Sequence, residues 1–385
     1  MFFVYFALII TAGLFISVVH PLSLGRIWKL LLTLLILLMA GRLAILREIF
    51  GGLGGVECDR RLLLATSFLQ NLAIFLFALA ILRDLVYVLC LPFHFLAPVK
   101  EGALAFRHFL KGAHFTLILV FLSAILSGWS LHEATKIPDV KKSEVVLDKL
   151  PPELDGLKVA LLADTHISRF YDRDWVNAVV ERTNALDPDI ILIPGDLVDG
   201  ETRLRAGDVE PLSRLKSRYG KFFCVGNHEY ISRLPDWMPV FQNLGLRNLY
   251  NLNVPVNLRG TVLYLAGVTD QAAYSRNLPG PDLRAALKGV PRDAPVILLE
   301  HRPSNAKENA QDGRVSLQIS GHTHGGLFPI LKTITKKANR GYLKGFYEVG
   351  SMKLYVHPGT GLWSGMPARI LDPSEITLLT LRSPR

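Results

Sequence analysis

Gly321-His322-Thr323-His324-Gly325-Gly326 follows a run, Val315 to Ser320, whose apolar residues alternate with period two and predict a strand. On a strand, residues two apart project to one face, so His322 and His324 are expected to point the same way. Gly321 lets the backbone approach whatever the imidazoles hold, and Gly325-Gly326 turns the chain away at once. Imidazole is the commonest metal ligand among side chains, which makes a metal centre the first reading. An isolated His-x-His also occurs as a solvated or hydrogen-bonded pair, so the reading depends on partners elsewhere in the chain.

Those partners end earlier apolar runs. A strand over Leu157 to Ala163 leads into Asp164-Thr165-His166, and a helix is expected over Asp174 to Leu186. A continuous apolar strand, Ile190 to Pro194, ends in Gly195-Asp196-Leu197-Val198-Asp199. A second helix is expected around Val209 to Arg218, before the strand Phe222 to Val225 and its closing Gly226-Asn227-His228-Glu229. The alternation of strand and helix is the pattern of parallel crossover units, whose sites lie beyond the carboxyl ends of the strands. Further strands are expected over Gly260 to Val268, Pro295 to Leu299 (ending in Glu300-His301-Arg302-Pro303), Met352 to Val356 and Ile376 to Leu381. The basic segment Lys332 to Lys344 reads as a solvated loop.

The first third is different. The chain has 385 residues, half of them hydrophobic, and the apolar excess sits before residue 135. Residues 1 to 25 carry no charge, and with no basic start they read as a retained anchor. Four spans are expected over about 2–22, 27–46, 62–82 and 112–132, the second requiring Lys29 and Arg42 to reach the interfaces because the twelve residues between them cover only about 18 Å. Leu85 to Val99 lies at the interface or lengthens the third helix. Residues 135–152 are polar, Lys-rich and end in Pro-Pro, as a linker would, leaving 153–385 as a separate domain. Basic residues beside the membrane divide seven against six, a small margin for a cytoplasmic C-terminal domain.

The charge surplus is shared along the chain: 10 basic against 6 acidic residues in 1–134, and 33 against 27 in 135–385. So diffuse a surplus suits anionic lipid or phosphate substrates and does not indicate specific nucleic-acid binding. Cys58, Cys90 and Cys224 have no metal-type spacing, which argues against a disulfide framework and a thiolate zinc site.

Five clusters therefore stand in order: Asp164-x-His166, Gly195-Asp196-x-x-Asp199, Gly226-Asn227-His228-Glu229, His301, and Gly321-His322-x-His324. This series resembles the signature of the calcineurin-like metallophosphoesterase superfamily over about residues 150–385, in particular its membrane-associated branch. The segment Gly359-Thr360-Gly361 through Pro367-x-Arg369 to Pro373-x-Glu375-Ile376 resembles that branch's closing stretch. The resemblance implies an N-terminal transmembrane α-helical region followed by an α/β four-layer (α-β-β-α) metallophosphoesterase domain with two metal ions at the strand ends. It implies Asp164, His166, Asp196 and His324 around one ion, and Asn227, His301 and His322 with the shared Asp196 around the other. Imidazole, carboxylate and amide oxygen without thiolate suit manganese, iron or zinc, as divalent or trivalent ions. His228 is then the non-ligand that protonates the leaving oxygen, oriented by Asp199, while a hydroxide bridging the metals attacks phosphorus in line.

One departure is Leu327, where the family commonly has glutamine after Gly325-Gly326; it bears on substrate contacts and not on the metals. Some superfamily members cleave the pyrophosphate of UDP-diacylglucosamine in lipid A biosynthesis, and an anchor beside such a site points to a lipid bilayer and a lipid-linked phosphodiester or pyrophosphate as partners. The competing readings are a protein phosphatase or nuclease of the same superfamily, and a non-catalytic membrane module that senses metal.

Overall fold

The computed structural model describes residues 2–51, 55–95 and 97–384 and divides into two compact units, one formed mainly by the first 132 residues and one by Glu133 onward.

The N-terminal unit is helical. It comprises α1 (Phe2–Leu14) with a π turn (Phe15–Val19), α2 (Arg26–Ala40), α3 (Arg42–Phe50), α4 (Arg60–Leu89), α5 (Lys100–Lys111) and α6 (Ala113–Thr135). Among the described residues, α4 and α6 are long and apolar enough to cross a membrane, and α2 with α3, bent by 65°, would be a third as one broken span. The apolar helix Phe3–Val19 is shorter. The span expected over 27–46 is thus interrupted at Gly41. Arg42 is 3% exposed, with Nε donating to Thr66 Oγ1 at 3.1 Å and Nη1 to Gln70 Oε1 at 3.2 Å. Burying a guanidinium among apolar helices requires such acceptors. The alternative that the stretch after Leu82 lengthens the third helix holds as far as Leu89.

The second unit contains two six-stranded sheets. The first has the order β1 (Asp139–Val146), β12 (Glu375–Arg382), β2 (Lys158–Leu161), β3 (Ile190–Pro194), β4 (Lys221–Cys224), β5 (Leu246–Asn248). The second has the order β10 (Gly345–Val349), β11 (Met352–Val356), β9 (Leu317–Ser320), β8 (Val296–Leu299), β7 (Thr261–Gly267), β6 (Leu252–Leu258). Strands β2 to β5 are mutually parallel, as are β7, β8, β9 and β11.

The period of two explains the layering. Val159, Leu161, Leu192, Phe222 and Cys224 from one sheet share a buried cluster with Leu263, Leu265, Ile297, Leu299, Leu317 and Ile319 from the other. Their neighbours Ala266, Val296, Leu298 and Leu354 face a second cluster on the outer side, with Ala286 and Ala306 of the helices α11 (Leu283–Ala286) and α12 (Ala306–Gln311). On the far side of the first sheet, Phe223 meets Phe241 at 5.0 Å between ring centroids. Phe241 belongs to α10 (Leu234–Asn243), which flanks the sheet with α7 (Arg173–Asn184), α8 (Thr202–Val209) and α9 (Asn227–Ile231). Central strands apolar on both faces are the mark of sheets covered on both sides, and each buried large apolar side chain contributes about 1.5–3 kcal/mol. The four-layer expectation holds.

Three local expectations are corrected. The stretch read as a linker contains β1, paired in parallel with β12 along its length. It is an edge strand, largely exposed, so its composition is polar. The helix expected around Val209 to Arg218 is displaced: α8 ends at Val209 and a 3-10 turn, Glu210–Arg214, follows, with Pro211 denying the backbone donor that an α-helix would need. The segment read as a basic loop, Lys332 to Lys344, is helical as far as Ala338, within α13 (Pro329–Ala338), whose first turn Pro329 opens.

Candidate metal centre

Neither histidine of the opening motif lies on a strand. β9 stops at Ser320, and His322 and His324 follow with φ of 71° and 48°. Asp164, His166 and Asp196 are likewise left-handed, at 50°, 45° and 53°. A left-handed backbone costs an ordinary residue about 1–2 kcal/mol, and such strain gathers where side chains must be aimed. The expectation of a common face is therefore replaced by turns at the carboxyl ends, which send His322 toward His301 and His324 toward His166.

Close approach of the turns needs glycine. A Cβ on Gly226 would lie 2.2 Å from Asp196 Oδ1, and one on Gly321 would lie 2.2 Å from Asp164 Oδ2. The vacated space lets backbone amides reach carboxylates: His228 N–H donates to Asp196 Oδ1 at 2.8 Å, and His322 N–H to Asp164 Oδ1 at 2.9 Å. Glu229, quoted in the motif without a role, accepts from the backbone N–H of Gly226, Asp196 and Leu197 at 2.7, 3.0 and 2.6 Å. It locks two strand ends together, a function that no residue pattern announces.

Among the described residues, three groups of candidate ligand atoms arise, each mutually within 4.8 Å: Asp164, His166 and His324; His166, Asp196 and His228; Asp196, His301 and His322. Asp196 recurs, with Oδ2 at 3.1 Å from His301 Nε2 and 3.7 Å from His166 Nε2. His166 Nε2 lies 3.2 Å from His324 Nε2, and His324 Nε2 lies 3.7 Å from Asp164 Oδ1.

The donor set fits cations. Asn227 Oδ1 is buried without a hydrogen-bond partner, and so is His301 Nε2, whose 3.1 Å approach to Asp196 lacks hydrogen-bond geometry. His301 Nδ1 is 2.9 Å from the Pro194 carbonyl, so Nδ1–H donates there and Nε2 is the nitrogen left to face a ligand. Burial disfavours charge on His301, yet the carboxylates of Asp196 and Asp164 carry its pKa up to about 10. Burial alone would raise Asp196, but His301, His228 and His166 hold it well below the usual carboxylate range. Asp164 is pushed up to about 6, by burial first and Asp196 next. Buried carboxylates of this kind are stabilised by positive charge, from the imidazoles or from a cation.

His228 sits apart in character. Its Nδ1 is 2.5 Å from Asp199 Oδ1, leaving only Nε2 uncommitted. Burial lowers its pKa, but Asp199 and Asp196 overcome this and raise it to about 9. Asp199 also reaches His166 Nδ1 at 3.3 Å, and the Trp363 ring lies 6.4 Å from that of His228.

Residues 157–326 match the model of the calcineurin-like phosphoesterase family. A protein of Helicobacter pylori strain J99 named an uncharacterized metallophosphoesterase is 36% identical over 275 residues, 70% of this chain and 72% of that protein. The chain belongs to the calcineurin-like metallophosphoesterase family. Proteins of Danio rerio and Bos taurus named "transmembrane protein with metallophosphoesterase domain" are 36% and 35% identical, each over 69% of this chain. The match spans 62% of the length of each of those two metallophosphoesterase relatives.

Other residues around this metallophosphoesterase centre were not singled out from the sequence. Arg369, quoted only as part of the closing stretch, is fully buried and donates to the carbonyls of His324, Asp372, Pro358 and Gly361 at 3.3, 3.0, 2.8 and 2.8 Å. Thr360 and Gly361 donate backbone N–H to the carbonyls of Ala163 and Asp164. A Gly-x-Gly followed by a nearby arginine was the available signal, and only packing gives it meaning.

Proposed function

We propose that this chain is a membrane-anchored, multi-pass phosphoesterase that hydrolyses a phosphodiester or pyrophosphate bond with two metal ions, its substrate lipid-linked or close to the membrane. The observation that carries the reading is the sharing of Asp196 by two of the three carboxylate and imidazole groups, beside a His228–Asp199 pair that simple metal binding would not need. Asp164, His166, Asp196 and His324 would hold one ion, and Asn227, His301, His322 and the shared Asp196 the other. Bound there, manganese, iron or zinc would supply Lewis-acid charge for the phosphoryl oxygens and lower the pKa of a water nucleophile.

The protein's own part is orientation and proton supply. With Nδ1–H donating to Asp199, His228 presents Nε2–H, and its raised pKa keeps that proton in place at neutral pH. Nε2–H donates to the leaving oxygen as the bond to phosphorus breaks, and Asp199 stabilises the imidazolium until then. The buried network around Asp164 and Glu229 keeps the strand ends from relaxing when charge is added. The apolar helices α4 and α6 support placement beside a bilayer, which favours a substrate carrying acyl chains.

The test is to purify the full chain in detergent, load it with manganese, and offer lipid-linked pyrophosphates such as UDP-diacylglucosamine, phosphopeptides and nucleotides side by side. Preferred turnover of a lipid-linked compound supports the reading. Turnover confined to phosphopeptides or nucleotides would shift it to a phosphatase or nuclease, and metal binding without turnover of any ester would leave a sensing module.

A further inference from the structure

Arg302, which follows the candidate ligand His301, has a fixed position unusual for a surface arginine. Its Nε donates to Oδ2 of Asp270 at 2.8 Å, and the Asp270 side chain is almost wholly buried while that of Arg302 is 28% exposed. The other oxygen of Asp270 accepts the backbone N–H of Ala272 at 2.7 Å, so the carboxylate is itself held. From this brace Arg302 extends Nη1 to 3.3 Å from Nε2 of His322. A guanidinium has five donors and no acceptor, and it stays charged at any ordinary pH.

Loading His322 with a cation changes what Arg302 faces. If Nε2 is the ligand atom, its lone pair is taken; if Nδ1 is, Nε2 carries a proton. In either case Nη1 is left without an acceptor, and a permanent positive charge stands beside a cationic centre. That arrangement is unfavourable by itself and becomes favourable when an anion lies between the two. The anion that a phosphoesterase brings there is the substrate's phosphoryl group.

We infer that Arg302, braced by Asp270, is a substrate-contacting residue that grips phosphoryl oxygens and favours substrates with a second negative charge at the reaction centre: pyrophosphates and phosphomonoesters over simple phosphodiesters. This rests on the phosphoesterase reading and moves its substrate class from simple diesters toward pyrophosphates and monoesters. The planar fork fits two oxygens at once, and a charge-assisted pair of this kind discriminates between a dianionic and a monoanionic group. Asp270 is a positioning residue, acting through Arg302.

The experiment uses the full-length, manganese-loaded protein and its Arg302→Gln, Arg302→Lys and Asp270→Asn variants. Metal content is measured first, then calorimetric binding of inorganic phosphate, then kcat/KM for p-nitrophenyl phosphate and bis(p-nitrophenyl) phosphate. Arg302→Gln is expected to keep its metal, to weaken phosphate binding by roughly 10- to 100-fold, and to lower monoester kcat/KM by a similar factor, chiefly through KM. Diester kcat/KM falls by several-fold less, Arg302→Lys recovers part of the phosphate affinity, and Asp270→Asn shows a smaller loss in the same direction. Unchanged phosphate affinity, equal losses on both esters, or loss of metal from both Arg302 variants overturns the inference. If the wild type cleaves neither ester while phosphate binding still depends on Arg302, the hydrolase reading fails and the anion seat stands.

Discussion

Nδ1 of His228 lies 2.5 Å from Oδ1 of Asp199, a shorter contact than any other imidazole in the site makes with a carboxylate. The pair fixes both the ring and its tautomer, because a carboxylate oxygen can only accept.

His228→Ala should therefore retain metal and lose turnover. A positioned general acid contributes about 10²- to 10⁴-fold, and a loss in that range is expected in kcat. Metal analysis alongside steady-state kinetics checks it; activity within about threefold of wild type would mean that the proton comes from another group.

Asp196→Asn should act on the metals themselves. An amide supplies one oxygen without charge where the carboxylate supplies two, and His228 N–H already occupies one of these at 2.8 Å. The expected outcome is a drop to one ion or fewer per chain, with binding weakened by about 10- to 100-fold or more. Full occupancy at both positions in elemental analysis would refute the shared role.

Arg369→Leu should destabilise the second unit and loosen the turn of His324. Four carbonyls of the chain lose a donor at once, including that of His324, which keeps only the Leu327 N–H at 3.4 Å. A cost on the order of 3 kcal/mol or more is expected, since each unsatisfied buried acceptor costs about 1–3 kcal/mol. Denaturant unfolding followed by tryptophan fluorescence measures it, and Arg369→Lys should restore only a fraction because an ammonium cannot span four carbonyls.

His357 gives a pH dependence outside the proposed ligand set. It is fully buried, and its Nδ1 accepts the Gly359 N–H at 2.9 Å. Burial lowers its pKa from 6.5 to about 4, although Glu375 pulls the other way. A group whose folded pKa is depressed contributes stability that is present above its unfolded value and is lost as pH falls toward the folded one. Here the window runs from about pH 6.5 to pH 4, and the linkage is worth about 3 kcal/mol at its acid end. In metal-free protein, His357→Asn should unfold with a shallower dependence on pH across that window; identical slopes would exclude His357 as the source.

Much of the site was legible because metal chemistry restricts residue types and strands end in recognisable ways. Asp164, His166, Asp196, Asn227, His228, His301, His322 and His324 could each be placed after an apolar run, since buried parallel strands are short, apolar and stop at glycine or a polar cluster. The edge strand β1 was hidden for the converse reason: a strand exposed over most of its length need not be apolar, and its pairing with β12 joins residues more than two hundred positions apart. Arg302 and Asp270 belong to the same class, because an ion pair across 32 residues leaves no local pattern.

The amino-acid sequence by itself determined which side chains could serve as ligands, that they end strands of a layered α/β unit, and that an apolar helical region precedes them. The family resemblance divided them between two ions, and the tertiary structure decided the backbone that parts them. His322 and His324 are two residues apart, which on a strand would have joined them on one face; left-handed turns part them, toward His301 and toward His166. Those turns are held by contacts with distant residues, the Asp164 carboxylate on His322 N–H and the Arg369 guanidinium on the His324 carbonyl. Local propensity disfavours such a backbone, so only the completed packing can impose it.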